Sequence, residues 1–156
     1  MILGFAWLAV LVLLAIFIAS SIRILRELQR GVVFPLVRFW KANHCRITHC
    51  NFTSVGGYAL EIGEGCTDNK VQACSFSDEG AGGVKVDAGS AHTEIADCEI
   101  ADGGKVFMSG IGVFIGNSGH NRIHNNHIHD FDYTGVSLGW SWGYGPSNAI
   151  DNIVED

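Results

Sequence analysis

The segment HDFDYTG, residues 129–135, places two carboxylates, Asp130 and Asp132, beside the aromatic ring of Tyr133. Carboxylate pairs of this kind suit glycoside chemistry, in which one group handles a proton and the other acts as nucleophile or base. Retaining enzymes hold the two about 5–5.5 Å apart and inverting ones about 6.5–9.5 Å apart. Asp130 and Asp132 are therefore the candidate catalytic residues. Tyr133 and Trp142 are candidate stacking surfaces for a sugar ring. His127, His129 and Glu99 are candidate substrate-binding groups that would also tune the carboxylates. Trp140 and Tyr144 complete an aromatic cluster within twelve residues of Tyr133.

Other uses of these residue types compete. Asp after a strand often only makes a turn or caps a backbone amide. That account is preferred for Asp78 and Asp102, and both accounts stand for Asp130 and Asp132. Stacked carboxylates could hold calcium. His120, His124, His127 and His129 bring a transition metal to mind, and His127 and His129 share a strand face. Spacing fixes no third ligand, so no metal and no cofactor is assigned. Trp140 continues the parity of Val136 and Leu138, which predicts a core position, whereas Trp142 is expected at the surface or in a cleft.

These side chains need a scaffold, and the sequence repeats one. Ile47, Val71, Ile95, Ile123 and Val154 follow one another at 24, 24, 28 and 31 residues. Three places after the first four stand Cys50, Cys74, Cys98 and Asn126. Five places after stand Phe52, Phe76, Ile100 and Ile128, and seven places after stand Ser54, Asp78, Asp102 and Asp130. Asn69, Thr93, Asn121 and Asn152 sit two places before the later references, where tolerance of left-handed backbone would suit Asn to a corner. A second alternation, Leu60/Ile62, Val84/Val86, Val113/Ile115 and Val136/Leu138, runs through each unit.

A period in the twenties with short alternating strands marks a solenoid, and several strands per period without helical spacing favour a β-helix. Like residues then stack from coil to coil about 4.8 Å apart. The chain is read as all-β, a right-handed parallel β-helix of about four coils over residues 43–156. Cys50, Cys74 and Cys98 should form one buried column. By parity Asn51, Thr53, Ser75, Ser77, Glu99, His127 and His129 point outward, with Glu99 and His127 in one column.

Residues 41–156 resemble the right-handed parallel β-helix repeat proteins of the pectate-lyase-like superfamily. The stretch NRIHNNHIHDFDYTGVSLGWSWGYG is similar to a segment of carbohydrate-active members. The resemblance implies polysaccharide or oligosaccharide as partner. Lyases of that kind pair calcium with a basic residue, and no Arg or Lys column accompanies the Asp column here, so hydrolase-like chemistry is preferred. Further coils follow in such proteins, so a C-terminal truncation and an incomplete site are expected. Any enzyme activity is left open.

The first 22 residues are of another kind. Met1 to Ile22 carries no charged side chain. As a helix it would span roughly 33 Å, enough for a bilayer core of about 30 Å. One transmembrane helix over 1–22 and a basic juxtamembrane linker over 23–42 are expected. Residues 1–39, through the stretch SSIRILRELQRGVVFPLVRF at 20–39, resemble the N-terminal anchor of stomatin/prohibitin-type membrane proteins, which implies a membrane-scaffold alternative. A non-enzymatic β-helix binding or structural module is the other. The flank Arg23, Arg26, Arg30, Arg38 and Lys41 predicts a cytoplasmic C-terminal side, whereas the β-helix resemblance implies export, so the side is left open. With 10 Lys and Arg against 16 Asp and Glu, the net charge of −6 argues against nucleic acid.

Overall fold

A computed structural model describes residues 36–156. They form a solenoid of fourteen short strands: β1 Val37–Phe39, β2 Arg46–Thr48, β3 Asn51–Thr53, β4 Leu60–Ile62, β5 Lys70–Gln72, β6 Ser75–Ser77, β7 Val84–Val86, β8 Glu94–Ala96, β9 Glu99–Ala101, β10 Ile111–Gly116, β11 Arg122–His124, β12 His127–His129, β13 Thr134–Gly139 and β14 Ile153–Glu155. Every third strand pairs in parallel. Sheet 1 runs β1-β4-β7-β10-β13, sheet 2 runs β2-β5-β8-β11-β14, and sheet 3 runs β3-β6-β9-β12. The expected reference column is a register column: Ile47 pairs with Val71, Val71 with Ile95, Ile95 with Ile123 and Ile123 with Val154.

Alternation makes these strands. Three-residue segments such as Ser-Phe-Ser and Val-Lys-Val bury their apolar members and leave the polar ones facing out. Phe76, Leu60, Ile62, Ile95, Ile100 and Val113 are fully enclosed. Each such burial contributes about 1.5–3 kcal/mol. Phe52 and Phe76 stack face to face, with centroids 4.8 Å apart and planes 2° apart. A charge at Ile95, in the middle coil, would break this core.

The solenoid begins earlier than residue 43. Val37–Phe39 pairs with Leu60–Ile62, so the expected linker up to residue 42 already contains a strand. The expected helix over 1–22 and most of the stomatin-like stretch lie outside the described residues. Among the described residues no helix is long and apolar enough to cross a membrane.

Four corners of each coil use left-handed backbone, and these fix the polar columns. His44, Asp68, His92, His120 and Asp151 form one, and Ser54, Asp78, Asp102 and Asp130 another, all with φ between 52° and 58°. Asp tolerates this conformation better than most residues, so a turn role accounts for its recurrence.

The asparagine column has a different cause from the one expected. None of Asn69, Thr93, Asn121 and Asn152 has a positive φ. Asn69 and Asn121 are each 1% exposed, and their side chains bond backbone groups across coils. Asn69 Oδ1 accepts from the Cys45 amide at 2.9 Å while its Nδ2 donates to the Ala42 carbonyl. Asn121 Oδ1 accepts from the Thr93 amide at 2.9 Å. Buried amides that strands leave unpaired must be satisfied in some way, and a side-chain amide supplies both donor and acceptor.

Cys74 and Cys98 are buried as expected, whereas Cys50, on the first described coil, is exposed. Burial pushes the Cys98 thiol up to about 11, and its Sγ donates to the Ala96 carbonyl at 3.1 Å. The recurring glycines allow close coil contact. A side chain at Gly80 would overlap the Gly56 carbonyl, so no other residue fits there.

One connection between sheets 3 and 1 is longer than the rest. Leu60 follows Phe52 by eight residues, Val84 follows Phe76 by eight, and Val136 follows Ile128 by eight. Val113 follows Ile100 by thirteen. The five extra residues fold back over the preceding coil, where the Val106 and Phe107 amides donate to the Gly80 carbonyl.

Candidate functional site

The expected site residues fall into three places. The first is the outer face of sheet 3. His127 and His129 lie two apart on β12 and therefore share a face, with ring centroids 4.3 Å apart. Glu99 on β9 is the register partner of His127. Its Oε1 also lies 3.7 Å from His129 Nε2. Asp130 turns the corner after β12 with φ 57°, and its Oδ2 sits 2.8 Å from His129 Nδ1. That hydrogen bond raises the His129 imidazole above its ordinary value; desolvation opposes it, and Asp130's charge and Glu99 add to it.

The second place is the corner leading into β13, where Asp132 and Tyr133 are both exposed. The third lies beyond the far end of β13. Trp142 is 86% exposed there. Six strand residues, roughly 20 Å at about 3.3 Å each, separate Tyr133 from that end. Glu99, His127, His129 and Asp130 thus come together, and Trp142 does not join them.

Trp140 departs from the expected core position. Gly139 and Trp140 have φ of 112° and 62°, which ends the strand alternation. The indole is 40% exposed. It rests on Phe114 at 5.1 Å between centroids and meets Trp142 edge-on at 5.8 Å. The other expected histidines part company. His124 bonds Glu94 at 3.0 Å on sheet 2, and His120 stacks on His92 at a corner.

Sequence reasoning missed the outer face of sheet 1. Glu61, Lys85 and Phe114 each stand between two inward residues of the second alternation, and that parity was the available signal. Arg38 Nη2 lies 2.9 Å from Glu61 Oε1, and Lys85 Nζ lies 2.8 Å from Asp87 Oδ1. Burial first, then hydrogen bonding to Asp87 and its charge, raises the Glu61 carboxyl above its ordinary value, against the pull of Lys85 and Arg38. Tyr58 and Phe114 approach to 6.4 Å between centroids, with Lys85 Nζ 5.9 Å from the Phe114 ring. A groove of about 310 Å³ opens here, lined by Tyr58, Glu61, Lys85, Phe107 and Ser109 among others. Phe107 and Ser109 come from the long connection before β10, so that insertion builds one wall.

Three parallel sheets wound from coils of three strands define a parallel β-helix domain. The family model described as "right handed beta helix region" matches residues 36–155, and the chain belongs to that family. No curated protein and no solved structure matches the chain.

Proposed function

We propose that this β-helix is related to carbohydrate-active members of its fold and binds an oligosaccharide along the outer face of sheet 1. The observation that carries the reading is the groove itself, which brings aromatic faces, carboxylates and a lysine together over one sheet. Rings of Tyr58, Phe107 and Phe114 offer apolar faces for the C–H side of a sugar. Trp140 and Trp142 extend that surface beyond the strand ends. Glu61, Asp87 and Lys85 offer acceptors and a donor for hydroxyl groups. The raised Glu61 carboxyl beside an Asp87 held by Lys85 also has the form of a proton donor next to a carboxylate. Asp130, Asp132 and Tyr133 form a smaller carboxylate–aromatic corner, where residue type alone favours a hydrolytic role. Tethering through the charge-free residues 1–22 belongs to the same proposal, which rests there on sequence.

Titration of the full chain in detergent micelles with a panel of plant and microbial oligosaccharides tests the reading. Phe114→Ala and Trp142→Ala should each weaken binding about tenfold, a loss near 1.4 kcal/mol. Asp132→Asn should leave it unchanged. Absence of binding across the panel overturns the proposal. Release of reducing ends that Glu61→Gln abolishes would add hydrolysis in the groove. Turnover lost in Asp130→Asn or Asp132→Asn instead would move the site to the corner.

A further inference from the structure

We propose that Glu99, His127 and His129 form a binding site for one divalent transition-metal ion of the zinc type, on the outer face of sheet 3. The site is independent of the sheet 1 groove.

The donor set is two imidazoles and one carboxylate. Their ligand atoms all lie within 4.8 Å of one another. Zinc holds such ligands at about 2.0–2.2 Å, which puts tetrahedral neighbours roughly 3.3 Å apart. Small side-chain rotations close that gap, and the backbone already sets the rest. His127 and His129 share a face because they are two apart on β12, and strand register puts Glu99 beside His127. Imidazole nitrogen favours zinc, copper, nickel or iron over calcium and magnesium, which want oxygen.

A second observation points to a ligand. His129 Nε2 is screened from solvent and completes no hydrogen bond of ordinary length among the described residues; Glu99 Oε1, which it faces, stays 3.7 Å away. A polar ring nitrogen in that position ordinarily finds a partner. The opposite nitrogen, Nδ1, is held by Asp130 Oδ2 at 2.8 Å. Metal-bound histidines characteristically give their other ring N–H to a carboxylate, which fixes the tautomer and aims the free nitrogen at the ion. Asp130 is thus a positioning residue and not a ligand. Three protein ligands on an exposed strand face leave a fourth coordination position for water.

The test uses the untagged full chain in detergent micelles, with zinc chloride in calorimetry and cobalt(II) as a spectroscopic substitute. One equivalent of zinc should bind at micromolar concentration. His127→Ala and His129→Ala should each weaken it at least 100-fold, and Glu99→Gln should weaken it as well. Asp130→Asn should weaken it about 10–100-fold, the usual effect of removing such a carboxylate. His124→Ala, on sheet 2, should bind as the wild type does. Circular dichroism of each variant should match the wild type, since these side chains lie outside the core. Bound cobalt should show ligand-field bands without a sulfur-to-metal charge-transfer band. No binding by the wild type, binding retained in the His127→Ala/His129→Ala double variant, or a thiolate band assigning the ion to cysteine would each overturn the proposal.

Discussion

Replacing Glu79 with Gln should make the solenoid more stable in alkaline solution and leave it unchanged in acid. Glu79 is wholly buried, and neither carboxyl oxygen completes a well-formed hydrogen bond among the described residues. Burial foremost, and the charge of Asp78 next, push its carboxyl up to about 8, against a small opposing pull from the Ser77 backbone. An unfolded glutamate titrates near 4.5. The folded value is raised, so the neutral carboxyl is stabilising relative to the ion. That stability is complete below about pH 4.5 and is lost as the pH rises through about 8. The gap of roughly 3.5 pH units corresponds to about 5 kcal/mol at about 1.36 kcal/mol per unit. Gln keeps the shape and carries no charge, so its stability should lack this slope. Urea unfolding of both proteins at pH 5, 6, 7, 8 and 9 measures the difference. The midpoints should lie close together at pH 5, where less than about 1 kcal/mol of the difference has developed, and diverge progressively, by well over 1 M at pH 9 for a urea slope of about 1–3 kcal/mol per M. Other titrating groups are common to both proteins and cancel in the comparison. Parallel curves from pH 5 to 9 would refute the reasoning and mean that the Glu79 carboxylate is solvated or paired.

Asn121→Ala should destabilise the solenoid by about 2–4 kcal/mol in urea unfolding, because it strands the buried Thr93 amide and removes the Nδ2 bonds to Ser118 and Asn152; a loss below about 0.5 kcal/mol would deny the ladder its structural role. At pH 8 an alkylating reagent should label Cys50 rapidly and Cys98 only after unfolding, since burial holds the Cys98 thiol up to about 11; peptide mapping of the labelled chain would expose equal rates. The full chain should pellet with membranes and a chain starting at Leu36 should stay in the supernatant, so a full chain that is soluble without detergent would remove the anchor.

The solenoid was legible because stacking repeats a requirement at every coil. A position facing inward in one coil faces inward in the next, so Ile47, Val71, Ile95 and Ile123 report the register directly. The corner column of Asp78, Asp102 and Asp130 was equally visible, and its left-handed backbone now supplies the reason. Asn121 was visible as a pattern but misread, because an asparagine at a corner and one bonding the next coil look alike in sequence. Trp140 was misplaced because Gly139 ends the alternation one residue before it. The sheet 1 groove stayed hidden for another reason. Glu61, Lys85 and Phe114 differ in type, so no column of like residues marks them, and their one signature is that each separates two apolar neighbours. Glu99 and His127 shared an expected column, yet their relation to His129 needed the diagonal across β9 and β12.

The five additional residues before β10 leave the alignments on either side undisturbed. Phe76, Ile100 and Ile128 stay in one column, and Val84, Val113 and Val136 in another. Insertions at this bend are therefore frame-preserving: residues can be gained or shed without displacing anything downstream. Loop-closure entropy grows only with the logarithm of length, so each doubling adds merely about 0.6 kcal/mol. The height of the groove wall and the composition of its floor can then drift separately, one by changes in length and the other by single substitutions on alternate strand positions. A recombinant chain carrying a longer or shorter bend there inherits a groove of new shape on an unaltered chassis. Natural variation in the shape of such a groove should accordingly concentrate in the lengths of the bends.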